Sequence, residues 1–527
     1  MTDSTSSDDP GSANVKEDPL SLMWRAIWTR RPILKEIMDK RGDKTLYEYA
    51  GGFSDVNHNP VLDARKVEVV DTVKDLLTDL LGTKVANGVA KQLKDLPLVS
   101  TADHHGPIVS TFFLNANIIS AISLMDSQLL DQDDKYLVVF SFSTVSVNNV
   151  SYPRGLLFHG DDHGTGDVVK LPILPDRDKM GVVYGMRPYT QADLDNAIST
   201  LDKLHKSGDV SESRFMEVKE VLKSYFGTSD MLDSVDFCSQ VTRVNYKLWP
   251  KFFHPQPKKV PNMIYLDIET LVRELLVRYL FKDSKSLIFR LLFGKDSPEL
   301  IYEYFNGING AFSIEKGWGT YLFWALDSKN KRVVLDLSKD HKKLVSRDGL
   351  YEFDFTPDGL TEASRLKQIF PSMFLCYLVI ALHYGFKCLG GFSQVNDLTR
   401  AKDAWGQILA KWGEQSEIDA ISHVQTKELG GDGMILAYLK NAQDDLSPAT
   451  GIDLLLDQGD TSFEKYVTLS KVVRFREIFD PLSPEIYKVL FSANERQPEF
   501  IELTPEKILE STGLKSRISP FFSGAVL

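Results

Sequence analysis

Apolar residues recur at helical spacing in the first third of the chain. Trp24, Ile27, Trp28, Ile33, Leu34 and Ile37 predict helices over 20–49, and a Gly/Asn/Pro loop follows at 51–60. Val67, Val70, Val73, Leu76, Leu77 and Leu80 predict an amphipathic helix within 65–95. The period then shortens. Pro97–Thr101 reads as a strand, and after a polar loop a helix carries Phe112, Phe113, Leu114, Ile118, Ile119 and Ile122. A second strand is predicted at Tyr136–Phe142, then short strands and loops over 151–174, and a highly charged helical arm over 190–226.

Beyond a Pro/Lys-rich linker at 250–261, Met263–Glu269 reads as a strand feeding a helix over 270–281, with Thr270 as its candidate N-cap. Tyr321–Asp327 and Arg332–Leu337 predict a hairpin, and 361–385 a long apolar helix. Alternating strands and helices with Gly-rich turns predict an α/β protein, with the charged arm as an inserted helical element and further elements towards the C-terminus. The expected divisions are a disordered tail (1–18), the first part of the core (19–189), insertion and linker (190–260), the rest of the core (261–450) and a C-terminal extension (451–527).

Composition narrows the class. The chain has 527 residues, 43% of them hydrophobic, and 73 acidic against 61 basic side chains give a net charge of −12. That balance argues for a cytoplasmic protein and against general nucleic-acid binding. Cys238, Cys376 and Cys388 form no CxxC pair, which excludes a disulfide framework or a cysteine-rich zinc site. The acidic, Ser-rich start lacks the basic and apolar regions of a secretory signal. The most apolar run, Met373–Leu382, falls short of the roughly 20 residues that span a bilayer. No membrane partner is expected, and the charged arm leaves room for a homo-oligomer.

Candidate chemistry concentrates on Asp103-His104-His105-Gly106, at a strand-to-helix turn where open α/β sheets hold ligands. Either imidazole would act as general base or phosphate contact, with Asp103 orienting it; the plain alternative is a turn whose Asp caps the next helix. Gly106, Asn115 and Asn117 join the expected substrate contacts. A second cluster, His159, Asp161, Asp162 and His163, has mixed nitrogen and oxygen donors suited to a divalent cation, although Asp-Asp-His-Gly is also common turn chemistry.

Asp267 and Glu269 lie at a strand end and are candidate ligand contacts. Gly390 and Gly391 would let backbone approach a ligand, with Gln394 and Asn396 supplying amides. Gly430-Gly431-Asp432-Gly433 reads as a plain turn. Two motif matches fail on context. Asp103-His104-His105 resembles the DHH phosphoesterases, but Val61 stands where their first metal motif needs an aspartate. Asp267-Ile268-Glu269 resembles the first motif of proofreading exonucleases, but a helix begins at once and the partner acidic motifs are missing. Neither a dinucleotide fingerprint nor a phosphate loop is present.

Val99–Gly106, together with the apolar stretch Phe370–Gly385 and the turn Gly390-Gly391-Phe392-Ser393-Gln394, resembles two segments of the bacillithiol-biosynthesis cysteine-adding enzyme family. In that family the first loop is V-T-G-Q-Q-x-G and the second turn Gly-Gly-Pro-x-Glu. Here Asp and His replace the amides, and Phe392 and Gln394 replace Pro and Glu. The resemblance implies a Rossmann-like core and a nucleotide or small-molecule pocket between the two turns, with chemistry free to differ. The leading expectation is therefore an enzyme acting on a small polar substrate by ligase- or transferase-type condensation. The alternatives are a metal-dependent hydrolase sharing an ion between the two His/Asp clusters, and a non-catalytic binding or scaffold protein. A nucleotide or a divalent metal is the cofactor class in view.

Overall fold

Four strands carry the molecule: β1 (Leu98–Ser100), β2 (Tyr136–Ser141), β3 (Asn262–Asp267) and β4 (Lys387–Leu389). In the computed structural model they form one all-parallel sheet, ordered β4-β1-β2-β3. The structure describes residues 18–125, 135–149, 151, 154–161, 167–255, 260–441, 443, 445–457 and 459–522. Asp162 and His163, and all of the expected tail except Asp18, lie outside them.

The pleat divides the interior in two. Leu137, Val139, Met263 and Tyr265 face one core, and Tyr136, Val138, Phe140, Ile264 and Leu266 face the other. Both faces are covered, which is why these strands read as continuous apolar runs rather than alternating ones. On the second face lie α1 (Pro60–Leu81) and α2 (Thr83–Asp95). They were expected as one helix, but Gly82, at φ 88°, breaks them apart. On the first face lie α3 (Thr111–Ile122) and α4 (Phe237–Leu248). Thus α4, inside the stretch expected as an insertion, packs directly on β3.

The chain after β3 enters α5 (Ile268–Leu275), which continues as a π-helical turn over Leu276–Leu280. Its N-cap is Asp267, whose side chain accepts from the backbone N–H groups of Glu269 and Thr270, so the expected cap at Thr270 lies three residues too late. The hairpin Phe323–Leu326/Arg332–Leu337 is present inside a five-stranded antiparallel second sheet.

The expected helix over 361–385 is instead three elements: helix Pro357–Arg365, strand Ile369–Pro371 and helix Met373–Tyr377, which continues as a π-helical turn over Leu378–His383. Pro371 holds the preceding residue extended, and Ser372 caps the new helix by accepting from Leu375 N–H. An apolar run buried on all sides carries no period that separates strand from helix.

Candidate functional site

The loops after all four strands meet at the carboxyl edge of the sheet. Thr101 continues β1 by donating its N–H to Leu389 O at 2.8 Å. The loop beyond it then behaves as sheet. Phe142 N–H donates to Asp103 O, and His105 N–H to Phe142 O, each at 2.8 Å. Held along Phe142, the three consecutive side chains fan out to different partners.

Asp103 is fully buried and accepts a 2.6 Å hydrogen bond from Asn117 Nδ2 on α3. Burial pushes its carboxyl up to about 7; Asn117 and the Tyr265 hydroxyl pull down and Asp432 adds to the rise. Its second oxygen, Oδ1, meets no well-aligned donor among the described residues, and the same holds for Asn117 Oδ1, Ser100 Oγ and Ser120 Oγ. Buried acceptors left open in this way are uncommon.

The histidines are not oriented by Asp103, contrary to the expectation from their adjacency. His105 is fully buried; its Nδ1 lies 2.7 Å from Ser141 Oγ and its Nε2 3.1 Å from Cys238 O. A carbonyl can only accept, so Nε2 carries the proton and the Ser141 hydroxyl donates to Nδ1. Burial lowers the ring's pKa, which keeps that neutral tautomer. With both nitrogens engaged, His105 is a brace rather than a free base. His104 is partly exposed, lies edge-on to Phe113 with centroids 5.2 Å apart, and approaches Asn149 Oδ1 at 3.5 Å.

Asp267, the last residue of β3, and Glu269, in the first turn of α5, join this edge. Glu269 accepts from Ser143 N–H at 2.8 Å and Thr144 N–H at 3.0 Å, so its carboxylate clasps the loop after β2. Ser143 Oγ lies 2.5 Å from Asp267 Oδ1 and 3.0 Å from Glu269 Oε2. Burial, and then the charge of Asp267, push the Glu269 carboxyl well above its ordinary range, because two touching carboxyls in a dry site cannot both ionise.

From β4 come Gly390 and Gly391. A β-carbon on Gly391 would collide with the Asp432 carboxylate, and one on Gly390 with the Gln394 amide. Gln394 Nε2 donates to Thr101 Oγ1 at 2.7 Å, joining the two turns singled out from sequence. Asn396 faces elsewhere, donating to Asp397 at 2.9 Å. Asp432, taken from sequence as part of a plain turn, belongs to this edge: its carboxyl is pushed up to about 7, first by burial and then by Glu485. Its one sequence signal was an acid placed among glycines, with Gly431 and Gly433 at φ 91° and 80°.

Asn115 is a structural clamp rather than a ligand contact. Its Oδ1 accepts from Leu436 and Ala437 N–H at 2.6 and 2.8 Å, and its Nδ2 donates to Thr111 O. Gly106 O accepts from Asn245 Nδ2 at 2.9 Å, which fastens the loop to α4.

His159 belongs to a different arrangement. Its Nδ1 lies 2.7 Å from Asp453 Oδ2, and Asp453 Oδ1 accepts its backbone N–H at 2.9 Å. The backbone O of Asp161 accepts from Arg214 Nη2 at 3.1 Å. Among the described residues, no group of three or more His, Cys, Asp or Glu side chains is placed to hold a metal ion. No helix among them is long and apolar enough to cross a membrane.

Fold and site together define a mixed α/β protein with a polar cluster at the carboxyl edge of a four-stranded parallel sheet. Compared with protein-family models, curated proteins and solved structures, the chain matches none.

Proposed function

We propose that the carboxyl edge of the sheet binds a small polar substrate and that Asp103 exchanges a proton with it, in a Rossmann-like core serving a ligase- or transferase-type condensation. The observation that carries this reading is the state of Asp103: fully buried, raised to about 7 against the pull of Asn117 and the Tyr265 hydroxyl, with Oδ1 meeting no well-aligned donor among the described residues. A general acid–base works best when its pKa lies close to the operating pH. Asp432 supplies a second such carboxyl from the opposite turn, and the Gly390-Gly391 backbone leaves it room. His104, the one partly exposed member of the trio, is the natural substrate contact. Burial of the set excludes water, which favours transfer between two substrates over hydrolysis. The resemblance of residues 99–106 and 390–394 to the cysteine-adding family supports a pocket between these turns.

The test is a thermal-shift screen of small polar compounds, followed by mass spectrometry for a joined product from those that bind. Asp103→Asn keeps the hydrogen-bonding outline of a protonated carboxyl but cannot exchange the proton. It should retain ligand-induced stabilisation and lose turnover by about 100-fold or more. Unimpaired turnover in that variant, or no stabilising compound for the wild type, would overturn the reading.

A further inference from the structure

Five basic side chains line one cavity of about 330 Å³: Arg273, Arg278, Lys282, Arg365 and Lys367, with Glu274 as the lone carboxylate of the lining. They arrive on two segments, the α5 helix with its π turn and the C-terminal end of helix Pro357–Arg365. Such a concentration stands out in a chain whose net charge is −12.

The inner wall is already ordered. Glu274 is held by Arg273 at 2.8 Å and by Arg278 at 2.9 Å, which aligns the two guanidinium groups on one side of the helix. Arg278 stands four residues after Glu274, the spacing that brings two side chains together on one face of a helix. Arg273 also donates to the Tyr184 hydroxyl at 3.1 Å, so its position is fixed before any ligand arrives. Arg278 reaches Asp75 and Lys367 reaches Asp236, at 2.7 and 3.1 Å. Lys282 and Arg365 have no carboxylate partner among the described residues, and both are exposed at the rim. Even with Asp75 and Asp236 counted, the cavity keeps an excess of positive charge.

The geometry points to an anion site that takes a small metabolite bearing a diphosphate or two close phosphate groups. The pre-aligned guanidinium pair offers paired N–H donors to one phosphoryl group. The two unpaired rim cations suit the second charge. The volume lies at the lower end of ligand-sized pockets, which fits a compact ligand rather than a polymer groove. This inference is independent of the acid–base reading of the 103–106 loop.

Titration calorimetry with inorganic pyrophosphate at physiological ionic strength tests it. The full chain is compared with Lys282→Ala/Arg365→Ala, which removes only exposed, unpaired cations. Lys339→Ala/Lys342→Ala, in an exposed turn of the second sheet, removes the same charge elsewhere. Saturable binding by the wild type, weakened by about tenfold or more in the first variant and unchanged in the second, is the expected result. Absence of saturable binding, equal loss in both variants, equal affinity for citrate, or tighter binding of a single-stranded oligonucleotide would each overturn it.

Discussion

Asn117 Nδ2 donates to Asp103 Oδ2 across 2.6 Å, and neither neighbouring histidine takes its place. That bond turns the acid of the Asp-His-His trio towards α3, away from the imidazole of His105. The chemistry suggested by adjacency in sequence therefore separates in space. One acid remains poised, one histidine becomes a brace, and one stays at the edge.

Asp103 and Asp432 should impose a pH dependence on stability. Both carboxyls are raised to about 7 in the folded chain, against about 4 when unfolded. Between those values the folded state holds protons that the unfolded state has released. Their stabilising contribution is thus complete below the unfolded value and is lost as pH rises through 7. Urea midpoints measured across this window should fall for the wild type. The slope should flatten in Asp103→Asn, with a difference on the order of 4 kcal/mol at the alkaline end. Parallel profiles for the two proteins would show that Asp103 is ionised in the fold.

Asn115→Ala should unfold far more readily than a typical surface variant. It strands the N–H groups of Leu436 and Ala437 inside the protein, at a cost of about 2–4 kcal/mol. Equilibrium denaturation measures this directly. A loss below about 0.5 kcal/mol would mean that these donors find other acceptors.

Gly391→Ala should destabilise by about 1–3 kcal/mol, through collision with the Asp432 carboxylate rather than through backbone strain, since Gly391 has φ −76°. The collision is specific to one partner. A double-mutant cycle with Asp432→Ala should therefore recover most of the loss. Purely additive effects would place the carboxylate elsewhere.

The buried His159–Asp453 pair gives a fourth expectation. Asp453→Ala removes the partner of a histidine that is 4% exposed and also the carboxylate of a capping box with Thr450, for a loss of about 3–5 kcal/mol. The pair raises the pKa of His159 and lowers that of Asp453. The histidine's share is present below the ordinary imidazole range and lost as pH rises through its raised value. The aspartate's share is present above the ordinary carboxylate range and lost as pH falls through its lowered one. Mildly acidic solution is accordingly where Asp453→Ala should differ most from wild type in denaturation midpoint.

The parallel strands were legible because a strand buried on both faces announces itself as an apolar run. Leu137–Phe140 and Met263–Leu266 are such runs, and the loops after them mark the carboxyl edge. The same property hid the break at Pro371, where helix and strand are equally apolar. Asp432 escaped notice because its neighbours are glycines, and its importance comes from Gly391, distant in sequence and close only after folding. Lys387 was equally opaque. A lysine beginning a strand reads as solvent-facing, yet this one is 3% exposed, donates to the backbone oxygens of Gly52 and Asp55 and lies 3.9 Å from Glu428. What cannot be read from a linear pattern here is which polar groups the fold chooses to bury together.

The helices near the two ends of the described chain meet each other. Tyr49 stacks on Phe475 with centroids 3.9 Å apart, and Trp24 Nε1 donates to Asp480 at 2.8 Å across 456 residues. On the ribosome, the apolar faces of the first helices would emerge long before the segment that covers them is made. Burial of these faces is thereby tied to synthesis of the 475–480 segment, and the earlier helices stay uncovered in the interval. A ribosome-stalled chain ending before Phe475 should offer them to a chaperone, and a chain extended well past Asp480 should withdraw them.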